Sequence, residues 1–213
     1  MNIGILGSGM VGKTLAEGFL KLGHAVMIGS RKPELLDDFV KKNGKNISAA
    51  DFEKVARFGK LIVFAVKGTE FENAILNAGK EQFDDKIIID VTNPLIFEEA
   101  GKPPKLAASY PDSNGVKIQQ LLPTAHVVKA FNSVPATYMC NPHLQEGNPD
   151  LFICGDAEGK KKVVEIARLF GWKKIVDVGA IEESYLLEAL AMIWIKYGFD
   201  NNYWQHTFML LKK

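Results

Sequence analysis

The sequence predicts an α/β chain built on a doubly wound, mainly parallel sheet, with a short helical appendage at its C-terminal end. Three observations lead there. Residues 61–66 form a continuous apolar run, as strands buried on both faces do. Similar runs alternate along the chain with segments whose apolar residues recur three or four apart, the order of βαβ units. The first run, with Ile3, Ile5 and Leu6, leads into Gly7-Ser8-Gly9-Met10-Val11-Gly12. A helix-like segment then carries Val11, Leu15, Phe19 and Leu22 on one side.

Strand, glycine turn and helix in succession form the context in which G-x-G-x-x-G implies a dinucleotide. Gly7 permits the sharp turn, Gly9 lets a pyrophosphate approach the backbone, and Gly12 lets the helix pack against the strand. The opening amides of the helix then face the phosphates, and its dipole favours negative charge.

A second strand at 25–28 ends in Gly29-Ser30-Arg31-Lys32-Pro33. An NAD-specific site would place an acid near this point to hold the ribose 2′-hydroxyl. Here stand a hydroxyl and two cations. Ser30 as donor, Arg31 as a planar fork and Lys32 as a further cation suit a 2′-phosphate, so the expectation is NADP(H) rather than NAD(H). The other reading is a basic loop that ends the strand and starts a helix near Pro33.

Further along, 48–57 reads as a helix capped by Ser48, 69–79 as a helix and 86–91 as a strand. Ligands in such sheets bind beyond the carboxyl ends of the strands. The exits Ala65-Val66-Lys67-Gly68 and Thr92-Asn93-Pro94-Leu95 should therefore lie over the cofactor. Lys67 is either a phosphate contact or a solvated loop lysine. Asn93 is either a ribose partner or a turn residue before Pro94. Residues 97–114 are broken by Gly101, Pro103, Pro104 and Pro111, and their position suggests a substrate-side flap. Ser113 is a candidate cap for a helix reaching Leu122. A strand at 126–130 then exits through Ala130-Phe131-Asn132. Phe131 is either an apolar wall beside the nicotinamide or a core residue, and Asn132 is an amide partner.

Strands at 150–154 and 173–178 flank a helix at 158–170. Residues 1–180 therefore read as one nucleotide-binding domain. Residues 181–213 read as a helix and apolar tail that pack on it or on a partner subunit, with a homodimer expected.

The remaining properties narrow the function by exclusion. The 213-residue chain is 47% hydrophobic and 24% charged with net charge +1, a soluble composition with no broad electrostatic attraction for nucleic acid or anionic membrane. No signal peptide or membrane-spanning run stands out. Cys140 and Cys154 have neither metal-ligand nor disulfide spacing, and a reducing cytoplasmic setting is the simplest expectation. The four histidines carry no metal spacing, and no catalytic residue is assigned. Ring-to-ring hydride transfer needs alignment more than acid–base help, whereas a carbonyl or imine would want a proton donor.

Several of these stretches occur together in one known family. Gly7-Ser8-Gly9-Met10-Val11-Gly12, Gly29-Ser30-Arg31, Asp90-Val91-Thr92-Asn93-Pro94, Val127-Val128-Lys129-Ala130-Phe131-Asn132, Cys154-Gly155-Asp156 and Leu186-Leu187-Glu188-Ala189-Leu190 follow in order. Over nearly the whole chain they resemble the NADP oxidoreductases dependent on the deazaflavin coenzyme F420. They also resemble the NADPH domain of the six-transmembrane metalloreductases. The resemblance implies a Rossmann-like fold and reversible hydride transfer between NADPH and an isoalloxazine-like ring. It also implies that Ser30 and Arg31 hold the 2′-phosphate and that Ser8, Met10 and Val11 line the phosphate turn, while Asn93, Pro94, Ala130, Phe131 and Asn132 surround the nicotinamide half. The sequence departs from the family at Lys67 and in its proline-rich loop. The acceptor, a small-molecule redox substrate, is expected to be coenzyme F420 or a flavin. A non-catalytic NADPH-binding regulator and a reductase of a small imine or keto acid are the alternatives.

Overall fold

The computed structural model describes residues 1–211. In chain order the elements are β1 (Asn2–Leu6), α1 (Met10–Lys21), β2 (Ala25–Gly29), α2 (Asp37–Asn43), β3 (Ile47–Ala50) and α3 (Phe52–Phe58). Next come β4 (Leu61–Phe64), α4 (Phe71–Ala78), β5 (Ile87–Asp90), β6 (Leu95–Ile96), β7 (Lys105–Leu106) and α5 (Asn114–Leu121). The chain continues through β8 (His126–Lys129), α6 (Ala136–Met139), β9 (Asp150–Gly155), α7 (Ala157–Leu169), β10 (Lys174–Asp177) and α8 (Ser184–Asn201).

Eight strands form one sheet in the order β10-β9-β8-β5-β4-β1-β2-β3. The six strands from β8 to β3 are parallel; β9 pairs antiparallel with β8, and β10 runs parallel to β9. The strand order reverses between β1 and β4, the place where such sheets bind ligands. Alternation explains the unbroken apolar strands. Leu61 and Val63 of β4 enter a core shared with Leu15, Phe19, Val163 and Trp172. Ile62 and Phe64 enter a second core with Val55, Phe71, Ile75 and Ile118 on the opposite face.

Two local predictions change. Ser48 does not open a helix: residues 47–50 are an edge strand in register with Val26–Gly29 of β2. Asp51 provides the cap instead, its carboxylate accepting the Lys54 amide at 2.9 Å. Buried Ile47 makes the edge pairing favourable, and a helix starting at Ser48 would have left β2 unpaired there. The loop 97–104 joins a small hairpin in which Leu95 pairs with Leu106. Ser113 does cap α5, accepting the Val116 amide at 3.1 Å.

The aromatic tail is packed against α8. Trp194 donates its indole N–H to the His206 carbonyl at 2.8 Å, and His206 Nε2 lies 3.0 Å from the Trp194 carbonyl. The Trp204 ring covers Gly198, where any side chain would lie 2.6 Å from it. Residues 212–213 of the predicted tail lie outside the described residues. No described helix is long and apolar enough to cross a membrane.

Asp156 shows how a helix cap and a side-chain contact share one group. Its Oδ1 accepts the Gly159 amide at 2.7 Å and meets His126 Nδ1 at 2.9 Å. Partial burial opposes its charge, but the amide and the imidazole outweigh that and hold its carboxyl below the usual range. Asp156→Ala is expected to lose about 1 kcal/mol in urea unfolding at neutral pH. Because the folded-state pKa is depressed from 3.8, this contribution is present above that value. It is lost as pH falls through the lower folded value, so variant and wild type should converge in acid.

Candidate active site

The site is built where the parallel strands end. Between β1 and α1 the chain turns at Gly7, whose φ of +124° lies in the left-handed region. A Cβ at Gly7 would sit 2.3 Å from the Ala65 carbonyl oxygen, so β1 and β4 leave the sheet in direct contact. Gly12 closes on the Gly7 carbonyl, which its Cβ would meet at 2.1 Å. Above Gly9, by contrast, a Cβ would have no atom within 4 Å. Gly9 is also the N-cap of α1 and supplies no side-chain cap, which leaves the first amides of the helix for another acceptor. A tight turn, an open face and uncapped amides together fit a pyrophosphate.

Beside this turn, Ser30 accepts the Lys32 amide on its hydroxyl at 3.1 Å. That bond shapes the loop and leaves Arg31 and Lys32 with exposed side chains at the end of β2. Gly29 is packed beneath, where a Cβ would sit 2.8 Å from the Phe52 ring. Ser8, Met10 and Val11 are at least partly accessible on the turn. Ala65 and Val66 are half-buried at the β4 exit, while Lys67 projects to solvent.

The exits of β4, β5 and β8 are tied by three asparagines. Asn93 Nδ2 donates to the Asn132 carbonyl at 2.8 Å, and Asn132 Nδ2 donates to Asn93 Oδ1 at 2.8 Å. Asn132 Nδ2 also donates to the Leu187 carbonyl of α8 at 2.9 Å. Asn114 spans Gly68 and Thr92, donating to the Gly68 carbonyl and the Thr92 hydroxyl, each at 2.9 Å. Asn132 Oδ1 is buried with no protein partner. An acceptor in that state is costly unless something supplies a donor, and the carboxamide of a nicotinamide is a group that would.

Phe131 takes the second of its two readings, a core residue. Its ring is 1% exposed and packs in the core, with ring centroids 6.2 Å from Phe170 and 6.3 Å from Trp172. Its φ of +61° turns the backbone at the strand end, so Asn132 rather than the phenyl ring faces the exit. Ala130 and Pro94 are buried beside it. Asn93, expected as a ribose partner, already has both ends of its amide in the clasp with Asn132.

Beneath the clasp lies a group that the sequence reading did not assign. Lys129 of β8 is fully buried. Its Nζ lies 2.6 Å from Asp90 Oδ2 on β5 and 2.7 Å from Glu188 Oε1 on α8, and it donates to the Thr92 carbonyl at 2.8 Å. Glu188 Oε1 also accepts the Asn114 amide at 2.9 Å, at the start of α5. Burial alone would lower the Lys129 pKa, but the two carboxylates outweigh it and hold the ammonium above its usual range. Burial pushes the Glu188 carboxyl up despite Lys129. The signal was present: a lysine inside Val127-Val128-Lys129-Ala130 and an aspartate ending Ile87-Ile88-Ile89-Asp90 are charges in buried strands, which persist only when paired.

The remaining reactive side chains stand apart. Burial pushes the Cys140 and Cys154 thiols each up to about 12, so neither offers a thiolate near neutral pH. No metal-binding cluster exists among the described residues. A cavity of about 750 Å³ lies above the start of β9, lined by Tyr138, His143, Ile193, Tyr197, His206 and Phe208 among others. None of the expected cofactor residues lines it.

Comparison with known proteins places this geometry. Residues 2–94 match the family model described as NADP oxidoreductase, coenzyme F420-dependent. A solved structure from Arthrobacter sp. FB24, assigned as an F420-dependent NADP reductase, superposes with a TM-score of 0.93 at 32% identity over 100% of both chains. The chain belongs to the coenzyme F420-dependent NADP oxidoreductase family. Membership makes it an NADP-dependent oxidoreductase with NADP(H) as its cofactor. The F420-dependent NADP reductase of Methanocaldococcus jannaschii is 28% identical, over 92% of this chain and 91% of that protein. Metalloreductase STEAP3 of Rattus norvegicus is also 28% identical, over 89% of this chain. The alignment spans only 36% of that longer relative. An imine reductase from Aspergillus terreus shares the fold, with a TM-score of 0.68 at 17% identity, covering 94% of this chain and 63% of that one.

Proposed function

We propose that this oxidoreductase transfers hydride between NADP(H) and a deazaflavin or flavin ring, and that it does so without a side-chain acid. In this reading the turn Gly7 to Gly12 holds the pyrophosphate. Ser30, Arg31 and Lys32 hold the 2′-phosphate, with Lys67 at the rim. Ala65 and Val66 floor the cofactor, and the backbone of Pro94, Ala130 and Phe131 with the amides of Asn93 and Asn132 receives the nicotinamide half. When bound, the cofactor supplies the hydride; the protein supplies alignment and excludes water.

One observation carries the choice of acceptor. Among the described residues, the exits of β5 and β8 offer amides, small apolar groups and the buried hydroxyls of Thr92 and Ser133, 3% and 2% exposed. The ionisable side chains beneath them, Lys129, Asp90 and Glu188, are 0–1% exposed and paired with one another. Reduction of an imine or keto acid asks for a proton donor in contact with the substrate, and that arrangement does not provide one. The named activity of the Methanocaldococcus jannaschii relative supports the same reading.

The acceptor is proposed to approach over the β8 exit, where the chain passes from Asn132 into α6. The outer side of α8, where Leu186, Ile193 and Tyr197 are exposed, is the surface proposed for a homodimer. Two free thiols, Cys154 buried and Cys140 partly buried, suit a cytoplasmic setting.

Loss of NADPH absorbance should be followed with oxidised deazaflavin, FMN, and a panel of imines and keto acids. Turnover with a ring acceptor, and none with the panel, is the expected result. Efficient reduction of an imine or keto acid with neither ring turned over would overturn the assignment.

A further inference from the structure

A buried lysine needs one counter-ion, and Lys129 has two. One ammonium with two carboxylates leaves a formal charge of −1 in a place closed to water. Burying an extra ion is costly, and the fold offsets part of this by aiming the first amides of α5 at Glu188: Asn114 N at 2.9 Å and Gly115 N at 3.4 Å. Asp90 Oδ1 is likewise held by the Thr92 amide at 2.8 Å. Glu188 Oε2 is buried with no hydrogen-bond partner. A single carboxylate would have neutralised Lys129 at lower cost.

The position of this excess charge is specific. Asp90 is followed after two residues by Asn93, and Lys129 after two by Asn132. Lys129 Nζ also holds the carbonyl of Thr92, the residue before Asn93. The cluster therefore sits directly beneath the two strand ends that the proposed site assigns to the nicotinamide half. The two redox forms of that ring differ in charge there: oxidised nicotinamide carries +1 and the reduced ring none.

We propose that the Lys129–Asp90–Glu188 cluster is a fixed negative charge that favours the oxidised over the reduced cofactor, and so poises NADPH as the hydride donor. This rests on the assignment of the nicotinamide half to the Asn93 and Asn132 exits. Asp90 and Glu188 act through the field they create, not by contact. A unit charge a residue or two away, through an effective dielectric of about 20, changes such an equilibrium by on the order of tenfold.

The test compares dissociation constants of NADP⁺ and NADPH for wild type, Glu188→Gln and Asp90→Asn, each checked for folding by circular dichroism. Both variants are near-isosteric and retain the oxygen that accepts a backbone amide. Each should weaken NADP⁺ about tenfold more than NADPH, moving the ratio of the two constants in the same direction. Adenosine 2′,5′-bisphosphate, which lacks the nicotinamide, should bind all three proteins equally. A ratio that stays fixed in a folded variant, with both ligands weakened alike or not at all, overturns the proposal and leaves a packing role. Should Glu188→Gln fail to fold, Asp90→Asn decides the matter alone. Wild-type protein that binds adenosine 2′,5′-bisphosphate no more weakly than either dinucleotide would instead refute the placement of the nicotinamide half.

Discussion

Lys129→Ala is expected to lose about 3–5 kcal/mol of folding stability, the largest effect of any substitution at the site. The variant leaves Asp90 and Glu188 facing each other without a counter-ion, each at most 1% exposed. Melting temperature should fall by roughly 6–20 °C for a chain of this size. The loss should depend on pH. Burial already pushes the Glu188 carboxyl above 4.5 with Lys129 present, and removing the ammonium pushes it further. A carboxyl with a raised folded-state pKa binds its proton more tightly when folded, so stability falls as pH rises from 4.5 through the folded value. The gap between Lys129→Ala and wild type should therefore narrow in mild acid. At the other end, Lys129 has a folded-state pKa raised above 10.5, so its stabilisation is complete below that value and fades only at higher pH. Denaturant titrations at several pH values measure both limbs. A pH-independent deficit between neutrality and pH 4.5 would mean that packing, not charge, is what Lys129 provides.

Arg31→Ala should weaken NADPH binding by about 1.5–3 kcal/mol, roughly ten- to 150-fold, and leave NADH nearly unchanged. Arg31 is exposed and sits past the shaped turn of Ser30, so its removal should not disturb the sheet. The loss follows from deleting a charge-assisted fork to a 2′-phosphate. Added salt should shrink it, because an exposed ion pair is screened. Arg31→Lys should recover part of the binding, since a point charge replaces a planar one. Equal losses for NADPH and NADH in a fluorescence titration would remove Arg31 from the 2′-phosphate site.

What could be read from the chain beforehand was whatever a local pattern determines. The glycine turn was legible because each glycine answers a local steric demand, and β4 was legible because both faces of a central strand are buried. Ser113 was legible as a cap because its bond to the Val116 amide spans three residues. β3 was lost to a helix because Ser48 resembles a cap, and only the neighbouring β2 makes that segment a strand. Phe131 was left with two readings because the direction of its ring depends on Phe170 and Trp172, far along the chain. The Lys129 cluster joins β5, β8 and α8, so no single segment displays it, although each unpaired charge announced that a partner was needed. Asn114 escaped for a similar reason, since its two acceptors, Gly68 and Thr92, come from other strand exits.

The reversal of direction at β9 has an effect on how such an enzyme can change. Because β9 starts on the side where β8 ends, the stretch from Asn132 to Asp150 never crosses back beneath the sheet. The tail returns to the same side, where Phe208 accepts the Asp150 amide and the Leu210 amide reaches the Asp150 carboxylate at 2.7 Å. The loop proposed to hold the 2′-phosphate hangs on β2, four strands away across the sheet from β8. On the proposed assignment, preference for the dinucleotide and preference for its redox partner are thus written in separate stretches of sequence with no strand in common. On that assignment, insertions and replacements around α6 can retarget the acceptor while the strand register, the glycine turn and the choice of coenzyme are inherited intact.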